Sequence, residues 1–116
     1  MDTRRKIVTA DSAPAGRTVV TGYFDILLAE DARELAALTR PLTAVVLPLE
    51  NALLSPRARA ELAAGLRIID YVVIAEDADV DALCERLRPA QLIRLEAAQA
   101  RRKRQLMEHV RNRQTR

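Results

Sequence analysis

Three short runs rich in valine and isoleucine, each followed by a stretch of helical spacing, constrain this chain more than any other feature. They are Arg17-Thr18-Val19-Val20-Thr21 ended by Gly22, Thr43-Ala44-Val45-Val46-Leu47 ended by Pro48, and Tyr71-Val72-Val73-Ile74 ended by Glu76-Asp77. Continuous apolar runs of this length suit strands buried on both faces, as in a parallel sheet. Gln91-Leu92-Ile93-Arg94-Leu95 is a fourth and weaker run.

The segments between carry helix signals. Leu28, Ala32, Leu35 and Leu38 or Thr39 recur at helical spacing over about 28–39, with Pro41 beyond. Ser55-Pro56 is a start signal, a side-chain oxygen to cap free amides and then a proline where no donor is needed. That helix is expected to run to about Leu66 and to bury Leu62 and Leu66. A third helix, from near Asp77 or Asp79, presents Val80, Leu83, Cys84 and Leu87 on one face before Pro89 stops it. A last helix is expected over about 97–113, with Leu106, Met107 and Val110 as its apolar contacts. The order β-α-β-α-β-α-β-α predicts a Rossmann-like α/β fold, a parallel sheet with alternating helices on both faces. Residues 1–16 read as an N-terminal arm, with Ile7-Val8 extended and Ala13-Pro14-Ala15-Gly16 a loop. Residues 17–96 read as the α/β domain, and 97–116 as a basic C-terminal helix or tail.

A length of 116 residues suits one small domain, and 49% apolar residues supply a core. Phe24, Tyr23 and Tyr71 are the only aromatics, which argues against a base-stacking platform. Cys84 is the single cysteine, so neither a disulfide framework nor a thiolate metal cluster is expected. No apolar run reaches the length of a membrane span, and no signal-peptide core follows the early charges. A cytoplasmic protein is the expectation. The net charge of +3 hides an asymmetry: residues 101–116 hold seven Arg or Lys against Glu108, a balance of +6, so residues 1–100 sum to −3.

In open α/β sheets, ligands sit beyond the carboxyl ends of strands. The first such place here is Gly22-Tyr23-Phe24-Asp25-Ile26-Leu27-Leu28-Ala29-Glu30-Asp31. It resembles the cytidylyltransferase-like (nucleotidyltransferase) superfamily, most closely the nucleotidyltransferase domain of ADP-heptose synthase, which reads Gly-x-Phe-Asp-x-Leu-His-x-Gly-His. Gly22, Phe24, Asp25 and Leu27 match in order and spacing. Arg5-Lys6-Ile7-Val8, Arg59-Ala60-Glu61-Leu62-Ala63-Ala64-Gly65-Leu66, Asp70-Tyr71-Val72-Val73-Ile74 and Leu87-Arg88-Pro89 with Leu92-Ile93-Arg94 extend the likeness over about 5–95.

The departures fall on the chemistry. In that family the two histidines stabilise charge on the nucleotide's α-phosphate, a large share of such catalysis. Their positions here are Leu28 and Asp31, and the glycine position is Glu30. Leu28 donates nothing, and two carboxylates oppose a triphosphate where a helix N-terminus would otherwise bind one. The loop Pro48–Leu54 lacks the family's lysine, and Arg94-Leu95-Glu96-Ala97 keeps only a cation from Lys-Gly-Gly-Asp. No catalytic residue is assigned. Gly22, Tyr23, Phe24, Asp25 and Arg94 stand as a remnant nucleotide site. No cofactor is assigned; an active member would use Mg²⁺ with CTP or ATP.

Each of these residues also has an ordinary role. Gly22 suits a turn of positive φ, Phe24 a core aromatic, and Asp25 a cap on neighbouring amides. Arg59 reads as a solvated helix arginine and Arg94 as an exposed edge residue. Cys84 reads as an inert core thiol, and His109, with no nearby cysteine or second histidine, as a surface side chain. The basic tail either engages nucleic-acid phosphates or forms a solvated helix whose cations offset the acidic domain, within a chain or across a dimer. The second reading is preferred. Taken together, these features predict a degenerate nucleotidyltransferase-like domain acting as a binding, regulatory or structural module, as a homodimer or beside a related active enzyme. The alternatives are an active enzyme transferring CMP or AMP to a small sugar or alcohol phosphate, and weak nucleic-acid binding through the tail.

Overall fold

A computed structural model describes residues 2–76 and 79–114; the Asp77 alternative for the third helix start, and Arg116 of the tail, lie outside them. The expected alternation is present. The strands are β1 (Thr18–Gly22), β2 (Leu42–Val46), β3 (Tyr71–Ile74) and β4 (Gln91–Arg94), and the helices α1 (Ala29–Ala36), α2 (Pro56–Ala64), α3 (Val80–Arg86) and α4 (Glu96–Gln114). All pairings are parallel, in the order β3-β2-β1-β4. The protein is thus an α/β domain of Rossmann-like architecture.

Burial follows position in the sheet. Central β1 and β2 are buried at every residue, whereas β4, the weakest run, is an edge with one half-buried residue, Ile93. Successive side chains alternate between two cores. Val20, Ala44, Val46 and Val72 face Leu35, Ala60, Ala63 and Ala64, below α1 and α2. Val19, Val45 and Val73 face Leu87, Leu83 and Val80, below α3. The chain moves from β1 to β3 in one direction and then returns past β1 to β4. Crossovers of constant hand therefore place α3 on the opposite face from α1 and α2.

Three expectations about the helices need correction. The first helix ends at Ala36, and Leu38 instead turns back, its amide donating to the Leu35 carbonyl at 3.1 Å, so Thr39 is exposed. In α2, Leu62 is 38% exposed, and the buried residues are Arg59, Ala60, Ala63 and Ala64. A surface of alanines lets α2 lie close to the sheet, which leaves no depth for a leucine. Leu66 packs on the core only in part, beyond the helix end. In α4, Leu106 is half-buried while Met107 and Val110 remain exposed, because those turns extend past the domain. The N-terminal arm packs against the sheet. Val8 donates its amide to Val72 O at 2.9 Å, and Ile7 and Val8 contribute to opposite cores.

Candidate functional site

The strand order reverses between β1 and β4, so their carboxyl ends form the topological switch point where this architecture binds ligands. The sequence places Gly22–Asp25 there, at the end of β1. What lies over them is the chain's own α4.

The helix begins one residue after Leu95, whose amide donates to Thr21 O at 2.9 Å. Its first turn is fixed by Thr21, which donates its hydroxyl to Glu96 Oε2 at 2.6 Å. One turn later Gln99, itself buried, accepts from the amides of Tyr23 at 2.7 Å and Phe24 at 3.1 Å through a single Oε1. Gly22 has another role than the expected positive-φ turn. It belongs to β1, and a Cβ there would stand 2.6 Å from Gln99 Oε1. The glycine leaves room for a side chain of α4. The positive φ falls instead on Phe24, at 53°, with its ring wholly buried in the core. That conformation is uncommon outside glycine, and here it aims two consecutive amides at one acceptor.

Asp25 bonds amides of the loop before α2, distant in sequence, and not those of its own turn. Its carboxylate accepts from Leu53 N and Leu54 N, each at 2.8 Å, and from the Lys103 ammonium of α4. Burial pushes its pKa up, but Lys103 and the two amides outweigh burial, so the carboxyl titrates below its ordinary value. At the start of α1, Asp31 accepts from Leu28 N at 2.9 Å, filling one free amide of the helix N-terminus. Its other oxygen accepts from Arg102 of α4, whose guanidinium also reaches Glu34 at 2.9 Å and Glu30 at 3.5 Å. Glu34 and then Asp31 raise the Arg102 pKa further above its ordinary value. The Asp31 side chain is 2% exposed and that of Arg102 14%, so this pair is shielded from solvent in a way surface pairs are not.

Arg59 differs from its expected solvated position: it is 1% exposed. From α2 it donates through Nη1 to Tyr23 O at 3.0 Å and Leu47 O at 2.7 Å, tying together the chain just past β1 and β2. Arg94 takes a separate place. On the edge strand it pairs with Asp81 of α3 and, at 3.7 Å, with Glu96. Cys84 is buried, and burial raises its thiol pKa. His109 is exposed.

Of the residues that close this crevice, Arg102 and Lys103 belong to the basic run whose cations are read as offsetting the acidic domain, whereas nothing in the sequence singles out Gln99. The available signal was the −3 charge of residues 1–100 against the +6 of the rest. A polyphosphate placed here would meet amides already donating to Gln99 and Asp31, with the two carboxylates of Glu30 and Asp31 in the first turn of α1. The residues present therefore do not fit a Mg²⁺–nucleotide complex. Among the described residues no three His, Cys, Asp or Glu side chains converge in a metal-binding group, and no helix is long and apolar enough to cross a membrane. No protein-family model and no curated protein matches the chain.

Proposed function

We propose that this chain is a non-catalytic Rossmann-like module whose ligand crevice is filled by its own C-terminal helix, and that it acts as a binding or structural unit. One observation carries the reading: α4 supplies an acceptor to the Tyr23 and Phe24 amides and cations to Asp25 and Asp31, so its side chains take the place beyond β1 where a nucleotide would sit. The likeness to nucleotidyltransferase-like domains supplies the architecture, and the loss of both histidine positions, to Leu28 and Asp31, removes the phosphate chemistry.

The test is a thermal-stability titration of the purified chain with CTP or ATP and Mg²⁺. A ligand that binds the folded state raises the melting temperature with dose, by about 2.7 kcal/mol of stabilisation at a hundredfold excess over Kd. The expected result is no dose-dependent rise with either nucleotide. A clear rise, or pyrophosphate release with a sugar phosphate, refutes the reading in favour of an active transferase.

A further inference from the structure

Two features remain unused by the closed crevice. The first is the distal half of α4. At 1.5 Å per residue its 19 residues span about 28 Å, and the molecule measures 51 × 28 × 26 Å. Beyond Lys103 the helix projects from the domain with Met107 and Val110 each 42% exposed, three residues apart and therefore on one side. Arg104, Arg111 and Arg113 surround them and form no ion pair among the described residues.

The second is a cleft of about 680 Å³ on the far side of the sheet, between the N-terminal arm, the end of β3 and the start of α3. Its floor is apolar, with Val8, Val73 and Leu83. At its rim stand Glu76 and Asp79, whereas its cations Arg57 and Arg86 are already paired, with Glu61 at 3.5 Å and with Asp11. The projecting helix is apolar and cationic; the cleft is apolar, and at its edge Glu76 and Asp79, the latter capping α3 through Ala82 N, form no ion pair among the described residues.

We propose that two copies of this chain associate reciprocally, the distal half of α4 of each seating in the cleft beside β3 of the other. The charge distribution favours this arrangement over a direct α4–α4 contact, which would bring the arginines of both copies together. It also favours a protein partner over nucleic acid, since phosphates offer nothing to Met107 and Val110. Closure by a two-fold axis buries both pairs of surfaces at once, where a single contact would leave one of each exposed. The inference is independent of whether the crevice at β1 admits a nucleotide.

The experiment is mass measurement by light scattering after size exclusion, across a dilution series and at low and high salt. The expected species is a dimer, twice 12.9 kDa, dissociating on dilution and more readily at high salt. Val110→Glu is expected to weaken it by about tenfold or more, the scale of a central interface residue, and, separately, Glu76→Arg, a reversed rim charge, to weaken it by less and mainly at low salt. Both sites are exposed, so each variant is expected to keep the wild-type circular dichroism spectrum. A wild-type chain that is monomeric at all concentrations overturns the proposal. So does a dimer that either variant leaves intact, or an assembly that forms only on adding RNA or DNA.

Discussion

Gly22 and Gln99 are the clearest case of one residue explaining another. The glycine is retained at a strand end for space, because Gln99 must reach past it to the Tyr23 and Phe24 amides. Gly22→Ala would force Gln99 aside and leave two amides without their acceptor, a cost of about 1–3 kcal/mol. Gln99→Ala removes the same acceptor directly. The two losses are one loss, so the double variant is expected to be destabilised by clearly less than the sum. Urea midpoints of the three variants check this, and additive losses would show that the contact does not hold the turn. Phe24 belongs with this pair, since its positive φ is stabilised by ring burial on one side and Gln99 on the other.

At the scale of elements, α4 is the one whose position no local rule dictates. Its composition is that of a solvated helix, and its docking rests on Glu96, Gln99, Arg102 and Lys103, all within its first eight residues. Arg102 contributes most, bridging three carboxylates of α1. Arg102→Gln removes the charge partner of a buried Asp31 and is expected to cost about 3 kcal/mol, the lower end for breaking a buried ion pair. Hydrogen exchange should then rise across 96–106 and in the Tyr23 and Phe24 amides, while β2 and β3 stay protected. Unchanged exchange in those amides would mean that Arg102 does not hold the helix down. The alanine face of α2 shows the same dependence on neighbours. Helical spacing picked out Leu62, but the sheet accepted the smaller side chains.

For the whole molecule, acid is the condition that tests these contacts together. Asp25 and Asp70 are both pushed up by burial. Both are pulled below the ordinary carboxylate value, Asp25 by Lys103 and the Leu53 and Leu54 amides, Asp70 by Arg40 and the Leu42 amide. A carboxyl with a depressed folded-state pKa contributes stability that is present above its unfolded value of about 4 and lost as pH falls toward the folded value. Stability measured by urea unfolding should therefore be level near neutrality and decline below pH of about 4. Asp25→Asn should be less stable at pH 7 and lose less on acidification, because that proton no longer titrates. An equal decline in the variant would place the acid sensitivity elsewhere.

The strand runs and the proline and serine punctuation contained the fold class, the number of layers and the placement of Gly22–Asp25 at a strand's carboxyl end. Those are local properties, fixed by side-chain shape and period. Only one edge was legible, since the weaker Gln91–Leu95 run lies at one side of the sheet, whereas Tyr71-Val72-Val73-Ile74, as apolar as the central runs, forms the other edge. That neither Leu28 nor Asp31 carries an imidazole could likewise be read directly. What only the tertiary structure decided is what lies over Gly22–Asp25. Arg59 inside the core, Asp25 paired with Lys103 and Asp31 with Arg102 join residues 36 to 78 positions apart or hide a charge that composition assigns to water. Such pairings depend on where the chain reverses after β3 and on the direction in which α4 leaves β4. Neither is written in the period of any one segment.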